Sequence, residues 1–268
     1  MILLMSVLAV AAPSAVSHAS HSWANYHWAR TNNPFLLDLG DNVSSTWDAY
    51  LGEASTDWSV SAVLDTLIVP GGTRPKQCRM TTGMIEVCSA KYGRRGWLGL
   101  ATISVSGDHI TAGSAQVNDT YFDTATYDTP AWRRLVMCQE VAHAFGLAHQ
   151  DEIFNNQNLG SCMDYTSNPE GPPSNEHPNQ HDYDQLVTIY DSHLDSTATI
   201  STATAAAVSS ALRALDLAAP GQWGQLVSLS RDGGQAIYEF DFGGGNKRIT
   251  FVTWTVAVAN ELRGLLEK

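Results

Sequence analysis

Two imidazoles, a carboxylate and a carboxamide crowd one short stretch, where Gln139 and Glu140 are followed by His143, Gly146 and His149. Neutral imidazoles are strong zinc ligands, whereas a glutamine can offer only its side-chain oxygen. A glutamate beside such ligands is placed to take a proton from water. The chemistry this combination suits is activation of water at a divalent metal.

The flanking residues say how these groups could meet. Thr129 is a good N-cap and Pro130 fits a first helical turn, so a helix is expected from there to about Phe145. At 3.6 residues per turn, Gln139 and His143 lie one above the other with Glu140 beside them. Gly146 then stops the helix, and a glycine there lets the chain reverse and carry His149 back toward the same face.

The pattern QExxHxxGxxH resembles the metzincin zinc-peptidase motif HExxHxxGxxH, which is followed downstream by a Met-turn. Glu140, His143, Gly146 and His149 match position by position, and Ser161, Met163 and Tyr165 look like the SxMxY form of that turn. Gln139 stands where the family has its first zinc-binding histidine. The resemblance implies Zn2+ held by Gln139, His143 and His149, with Glu140 as general base. It also implies Met163 as the floor of the site and Tyr165 as a catalytic group that visits the metal or stabilises an oxyanion. The function implied is that of a secreted zinc-dependent endopeptidase acting on peptide or protein substrates. The alternative is a metzincin-fold pseudo-enzyme, with metal lost or loosely held, serving as a secreted binding protein. A carbohydrate-binding protein using its eight tryptophans is a third reading, from composition alone.

A chain of 268 residues can form one domain with a substantial core, or one domain plus a small appendage. Its net charge of -12, from 27 acidic and 15 basic residues, argues against nucleic-acid and anionic-membrane partners, whose fields would repel it. A monomer is expected. Residues 1–19 combine an apolar run from Ile2 to Ala12 with small residues at Ser17 and Ala19, the pattern of a signal-peptide core and cleavage site. That run is too short to span a bilayer, which needs roughly 20 apolar residues. The expected location is therefore extracellular.

Four cysteines suit an oxidising compartment. Cys78 and Cys88 are close enough in sequence to bridge a hairpin or loop. The cysteines could also be reduced buried thiols, and Cys138 could replace Gln139 as a ligand, although it is rotated about 100° around the helix from that position. In metzincins the Met-turn passes beneath the metal, so the resemblance implies a Cys138–Cys162 bridge tying the active-site helix to that turn.

Around the motif the expected order is strand, helix, four strands, helix. The first strand is 34–39. Helix 46–58 opens on a capping pair, Ser45 and Asp48, and Trp47, Tyr50, Leu51, Ala54 and Trp58 recur at helical spacing, as a face packed into the core. Strands are expected near 63–69, 83–87, 97–105 and 109–117, the last two joined at Gly107 and Asp108. This order is similar to the matrixin type of metzincin: an α+β domain with a twisted mixed β-sheet, an active-site helix and a closing C-terminal helix, here at 182–190. By that resemblance Leu98 to Val105 is an exposed edge able to pair with an extended substrate.

The loop from Asn118 to Asp123 reads as a solvated acidic loop or, less simply, a site for Ca2+. Asn42 and Asn118 open glycosylation sequons. His177 and His181 are spare ligand candidates, and the polar loops at 150–160 and 166–179 are placed to wall a specificity pocket. The peptidase-like domain is expected over 20–195, a Ser/Thr/Ala-rich linker over 196–218, and a small β-rich extension over 219–268 with strands at 225–230, 236–242 and 247–256. That extension is marginal for an independent core and should lean on the main domain.

Overall fold

The computed structural model describes residues 22–191, 194 and 215–267. The signal segment expected at 1–19 and most of the linker expected at 196–218 lie outside the described residues.

The architecture is α+β, built on one mixed sheet of ten strands. In chain order these are β1 (His27–Trp28), β2 (Phe35–Asn42), β3 (Leu64–Pro70), β4 (Thr81–Thr82), β5 (Met84–Ala90), β6 (Trp97–Ser106), β7 (His109–Asn118), β8 (Gln225–Leu229), β9 (Gln235–Gly243) and β10 (Asn246–Trp254). The sheet runs β3-β2-β5-β7-β6-β10-β9-β8, and the two short strands β1 and β4 also pair with β7. From β3 to β7 the neighbours are parallel, and from β7 through β8 they are antiparallel. The hairpin between β6 and β7 turns at Gly107, whose φ of +61° is a left-handed value open to glycine. Nearly every residue of β6 is buried, the signature of a strand covered on both faces.

The helices are α1 (Asp48–Trp58), α2 (Asp119–Phe122), α3 (Pro130–His143), α4 (Gln180–Tyr190) and α5 (Val256–Leu266). The tryptophan stripe of α1 is core: Trp47 packs edge-on to Phe122, Trp58 packs edge-on to Phe145, and the Trp58 indole donates to the Cys138 carbonyl at 3.2 Å. Seven of the eight tryptophans are buried, so the tryptophan content reflects packing. The expected capping pair does not form. Trp47 itself is the N-cap, with no side-chain cap, because its buried indole is drawn to Asp119 at 2.7 Å and fixes where the helix begins.

One further expectation is corrected. The strand from Leu98 to Val105 is not an exposed edge, since β10 pairs antiparallel with β6 from Asn246 opposite Ser106 to Trp254 opposite Trp97. An apolar strand with unpaired amides is a template for another strand, and the chain supplies one from its own C-terminal part. Those three C-terminal strands accordingly continue the main sheet edge to edge. The acidic stretch after β7 forms the short helix α2, capped by Asn118; Asp119 serves Trp47, and Asp123 pairs with Lys91 at 2.8 Å. Neither sequon asparagine is available to a glycan in the folded chain, because both side chains are buried, Asn118 against the Gly93 and Trp97 carbonyls and Asn42 against Glu86.

Both disulfides expected from the sequence are present, Cys78–Cys88 and Cys138–Cys162, with Cα separations of 5.9 and 6.0 Å. Cys138 is therefore neither a reduced thiol nor a metal ligand. Its bridge spans 24 residues and contributes about 3 kcal/mol by loop-closure entropy. No helix among the described residues is long and apolar enough to cross a membrane.

The closing helix α4 pins the far end of α3, with the Tyr190 hydroxyl donating to the Phe145 carbonyl at 2.6 Å. It begins in a capping box in which Asn179 N–H donates to Asp182, and the Ser161 hydroxyl donates to the same carboxylate oxygen at 2.7 Å. Burial pushes the Asp182 pKa up to about 6, with the hydrogen bonds from Asn179 and Ser161 opposing that shift. Its folded value lies above its unfolded one, so the buried neutral carboxyl carries no penalty below about pH 3.9, and stability is lost as pH rises from there through about 6. Asp182→Asn keeps the acceptor and removes the titration. The stability of this variant relative to the native chain should therefore grow by about 2–3 kcal/mol between pH 4 and 7 and then level off. Thermal melts across that range test it; a difference that does not change with pH would refute the assignment.

Candidate functional site

Helix α3 carries the site, and its ends are built as the sequence requires. The Thr129 side chain accepts from Trp132 N–H, Pro130 opens the first turn, and Gly146 adopts a φ of +98° to reverse the chain. A Cβ at Gly146 would also run into the Tyr26 carbonyl, so the glycine is fixed by space as well as by conformation.

The reversal returns Leu147 and His149 over the end of the helix. His143 Nδ1 lies 2.8 Å from the Leu147 carbonyl and so carries the proton it donates there. Its Nε2 then presents a lone pair, and 3.1 Å away lies Nε2 of His149, the two rings steeply inclined with centroids 4.5 Å apart. Gln139 is held by its Nε2, which donates to the Cys162 carbonyl at 3.0 Å, while its Oε1 accepts from the Thr253 hydroxyl at 3.0 Å. Glu140 Oε1 lies 2.6 Å from the same hydroxyl, and Glu140 Oε2 has no hydrogen-bond partner among the described residues. Glu140 is fully buried, and that burial pushes its pKa up to about 8, against the pull of the Thr253 hydroxyl. A single hydroxyl proton cannot serve both acceptors. With Glu140 protonated, its own O–H satisfies Thr253 and frees that proton for Gln139.

Gly99 on β6 makes room for this arrangement, since a Cβ there would strike the Glu140 carboxylate. The turn bearing Met163 is knitted to the chain after His149 by Gln150 N–H donating to the Met163 carbonyl at 2.6 Å, and it is tied to α3 by the disulfide. Met163 is fully buried. Tyr165 is buried with its ring centroid 6.3 Å from that of His149, and its hydroxyl faces the Trp254 carbonyl at 3.5 Å. His177 pairs with Asp57 at 2.7 Å, and His181 lies in the first turn of α4. The loops on either side of the Met163 turn form an open polar pocket of about 220 Å³ between 154–158 and 166–172.

Three side chains at this site come from the C-terminal strands, where sequence reading found no function. Thr253 is one. Phe251 lies flat on the His143 imidazole, with centroids 4.6 Å apart and planes 3° from parallel. The Gln235 amide nitrogen lies hard against His149 Nε2 and 3.3 Å from Thr253 Oγ1, and Gln235 Oε1 has no hydrogen-bond partner among the described residues. The one local hint is that Thr253 is polar on the same register as Ile249 and Phe251. Which site it faces depends on a strand pairing more than a hundred residues distant, and periodicity carries no such information.

Among the described residues no group of three or more His, Cys, Asp or Glu side chains is arranged to hold a metal. No known family matches the chain, and no curated protein does. Among solved structures, that of myroilysin is similar at a TM-score of 0.33 and 14% identity, over 65% of this chain and 84% of that one.

Proposed function

We propose that this chain is a secreted zinc-dependent peptidase of metzincin type, with Gln139 in place of one ligand histidine. The observation that carries the reading is the pair of imidazole nitrogens facing each other across 3.1 Å, with the lone pair of His143 directed inward by its bond to Leu147. Two imidazole nitrogens at this separation can share a proton in a His–His hydrogen bond or direct both lone pairs at one cation, and the peptidase reading takes the second. A backbone carbonyl on the far nitrogen is also the usual way a ligand imidazole is oriented.

In this reading His143 and His149 would hold zinc with the Gln139 oxygen as third donor, and the metal when bound supplies acidification of a water. The remaining work falls to the chain. Cys162 holds the Gln139 amide nitrogen, which fixes the direction of its oxygen. Glu140, ionised once water reaches it, takes a proton and returns it to the leaving amine. Two disulfides suit an oxidising compartment, which supports export.

A second reading, a binding protein on a peptidase-like scaffold, is favoured by the complete burial of Glu140 and His143 beneath the C-terminal strands. Metal analysis separates the two. The peptidase reading expects one zinc per chain, lost in His143→Ala, and peptide turnover abolished by a chelator. A well-folded native protein that takes up no zinc would leave the binding protein standing.

A further inference from the structure

The C-terminal strands do more than extend the sheet. Strand β10 covers β6 from end to end, on the edge where an extended peptide would otherwise add. Three inward side chains of β9 and β10 fill the site: Phe251 caps the His143 ring, Thr253 binds Gln139 and Glu140, and Gln235 reaches His149. The turn into β9 is seated as closely, for Gly234 lies flush on the Tyr165 ring, and Asp232 accepts from Phe154 N–H in the loop beyond His149.

Gln235 is the informative member. Its side chain is almost fully buried, its amide nitrogen is set against His149 Nε2, and its oxygen is without a hydrogen-bond partner among the described residues. A buried amide oxygen left unbonded costs about 1–3 kcal/mol. Half a turn about the Cγ–Cδ bond exchanges the amide nitrogen and oxygen at almost no change in shape, and brings that oxygen against His149 Nε2, which itself lies 3.1 Å from His143 Nε2. There it would be a third or fourth donor atom.

We propose that Gln235 is a metal ligand supplied by the β9–β10 hairpin, so that the full chain holds its ion in a form closed to peptide. This rests on the zinc-site reading above and adds to it a ligand from outside the QExxHxxGxxH stretch, together with a reason for the covered edge. The two amides divide the work. Gln139 belongs to the helix and stays when the hairpin leaves, whereas Gln235 leaves with it and vacates a coordination position for water and substrate.

The test uses the full chain, Zn2+ competed against a chromophoric chelator, and Co2+ as a spectroscopic probe. Gln235→Leu should weaken zinc binding by about 10- to 100-fold and shift the visible bands of the cobalt-loaded protein, since a donor atom is removed. Gln235→Glu, which offers a charged oxygen at the same reach, should bind zinc more tightly than the native chain. Should Gln235→Leu fail to fold, as judged by the melt of the metal-free protein, Gln235→Glu carries the test alone. Native affinity and an unshifted cobalt spectrum in the folded variants, with metal still lost in His143→Ala, would overturn the Gln235 assignment and leave the imidazole site intact. Absence of metal binding in the native chain would overturn both.

Discussion

Glu140→Gln should lower peptide turnover by about 10²- to 10⁴-fold, the range over which a positioned general base contributes, while leaving the protein at least as stable as the native chain at pH 7. Loss of activity follows because an amide cannot take a proton from water. Retention of stability follows from the surroundings. Glu140 is fully buried, its Oε2 has no hydrogen-bond partner among the described residues, and burial already holds its pKa near 8. A neutral amide of the same shape keeps the contact with Thr253 and removes the penalty of burying a potential charge. Gly99, which accommodates the carboxylate against β6, accommodates the amide equally. Turnover of a peptide mixture should be measured in the native background and in Gln235→Leu, where the site is easier to open, alongside thermal melts and zinc content. Turnover within about tenfold of the parent in both backgrounds would remove Glu140 from the chemistry.

The helix that carries the site was readable because its signals are local. Thr129 and Pro130 start it and Gly146 ends it, and a shift of one residue at either end would have broken the match among Glu140, His143 and His149. Of the disulfides, Cys78–Cys88 was legible from closeness in sequence, and Cys138–Cys162 only through the resemblance to the metzincin Met-turn. The closing helix was legible from Tyr183, Leu186, Val187 and Tyr190, and Asn179 provides the cap that the structure uses. Helix α5 went unread although it has an equally local signal: Thr255 is an N-cap whose side chain accepts from Val258 N–H, directly ahead of an apolar run.

The covered edge was illegible for a different reason. Whether β6 is open depends on whether a strand far along the chain finds it, and the alternation of Ile249, Phe251 and Thr253 gives a face without naming a partner. Small turns such as Gly243 to Gly245 tell only that β9 and β10 form a hairpin. The same non-locality hid Gln235 and Thr253. Side chains on the helix could be assembled by counting residues per turn, but side chains delivered by a neighbouring strand could not.

Gly234→Ala bears on that neighbouring strand directly. The glycine's φ is not in the left-handed range, so alanine meets no backbone penalty, and the whole effect comes from a methyl group that would overlap the Tyr165 ring. Tyr165 cannot easily yield, because it is buried between His149, Phe154 and the end of β10. The strand is the part that can move: Gly234 directly precedes β9, and its carbonyl accepts from Trp254 N–H at 3.0 Å, so displacing it loosens both strands next to the site. Overpacking of this kind costs about 1–3 kcal/mol, which would raise the population of the opened hairpin roughly 5- to 150-fold if the strain is confined to the closed form. Amide exchange should therefore accelerate over 235–254 while β2 and β5 keep their protection, and peptide turnover should rise even as the melting temperature falls. Uniform acceleration across the sheet without any gain in turnover would mean that the hairpin opens only when the whole domain unfolds. In that case β10 is a permanent member of the core, and the site beneath it is built to stay shut.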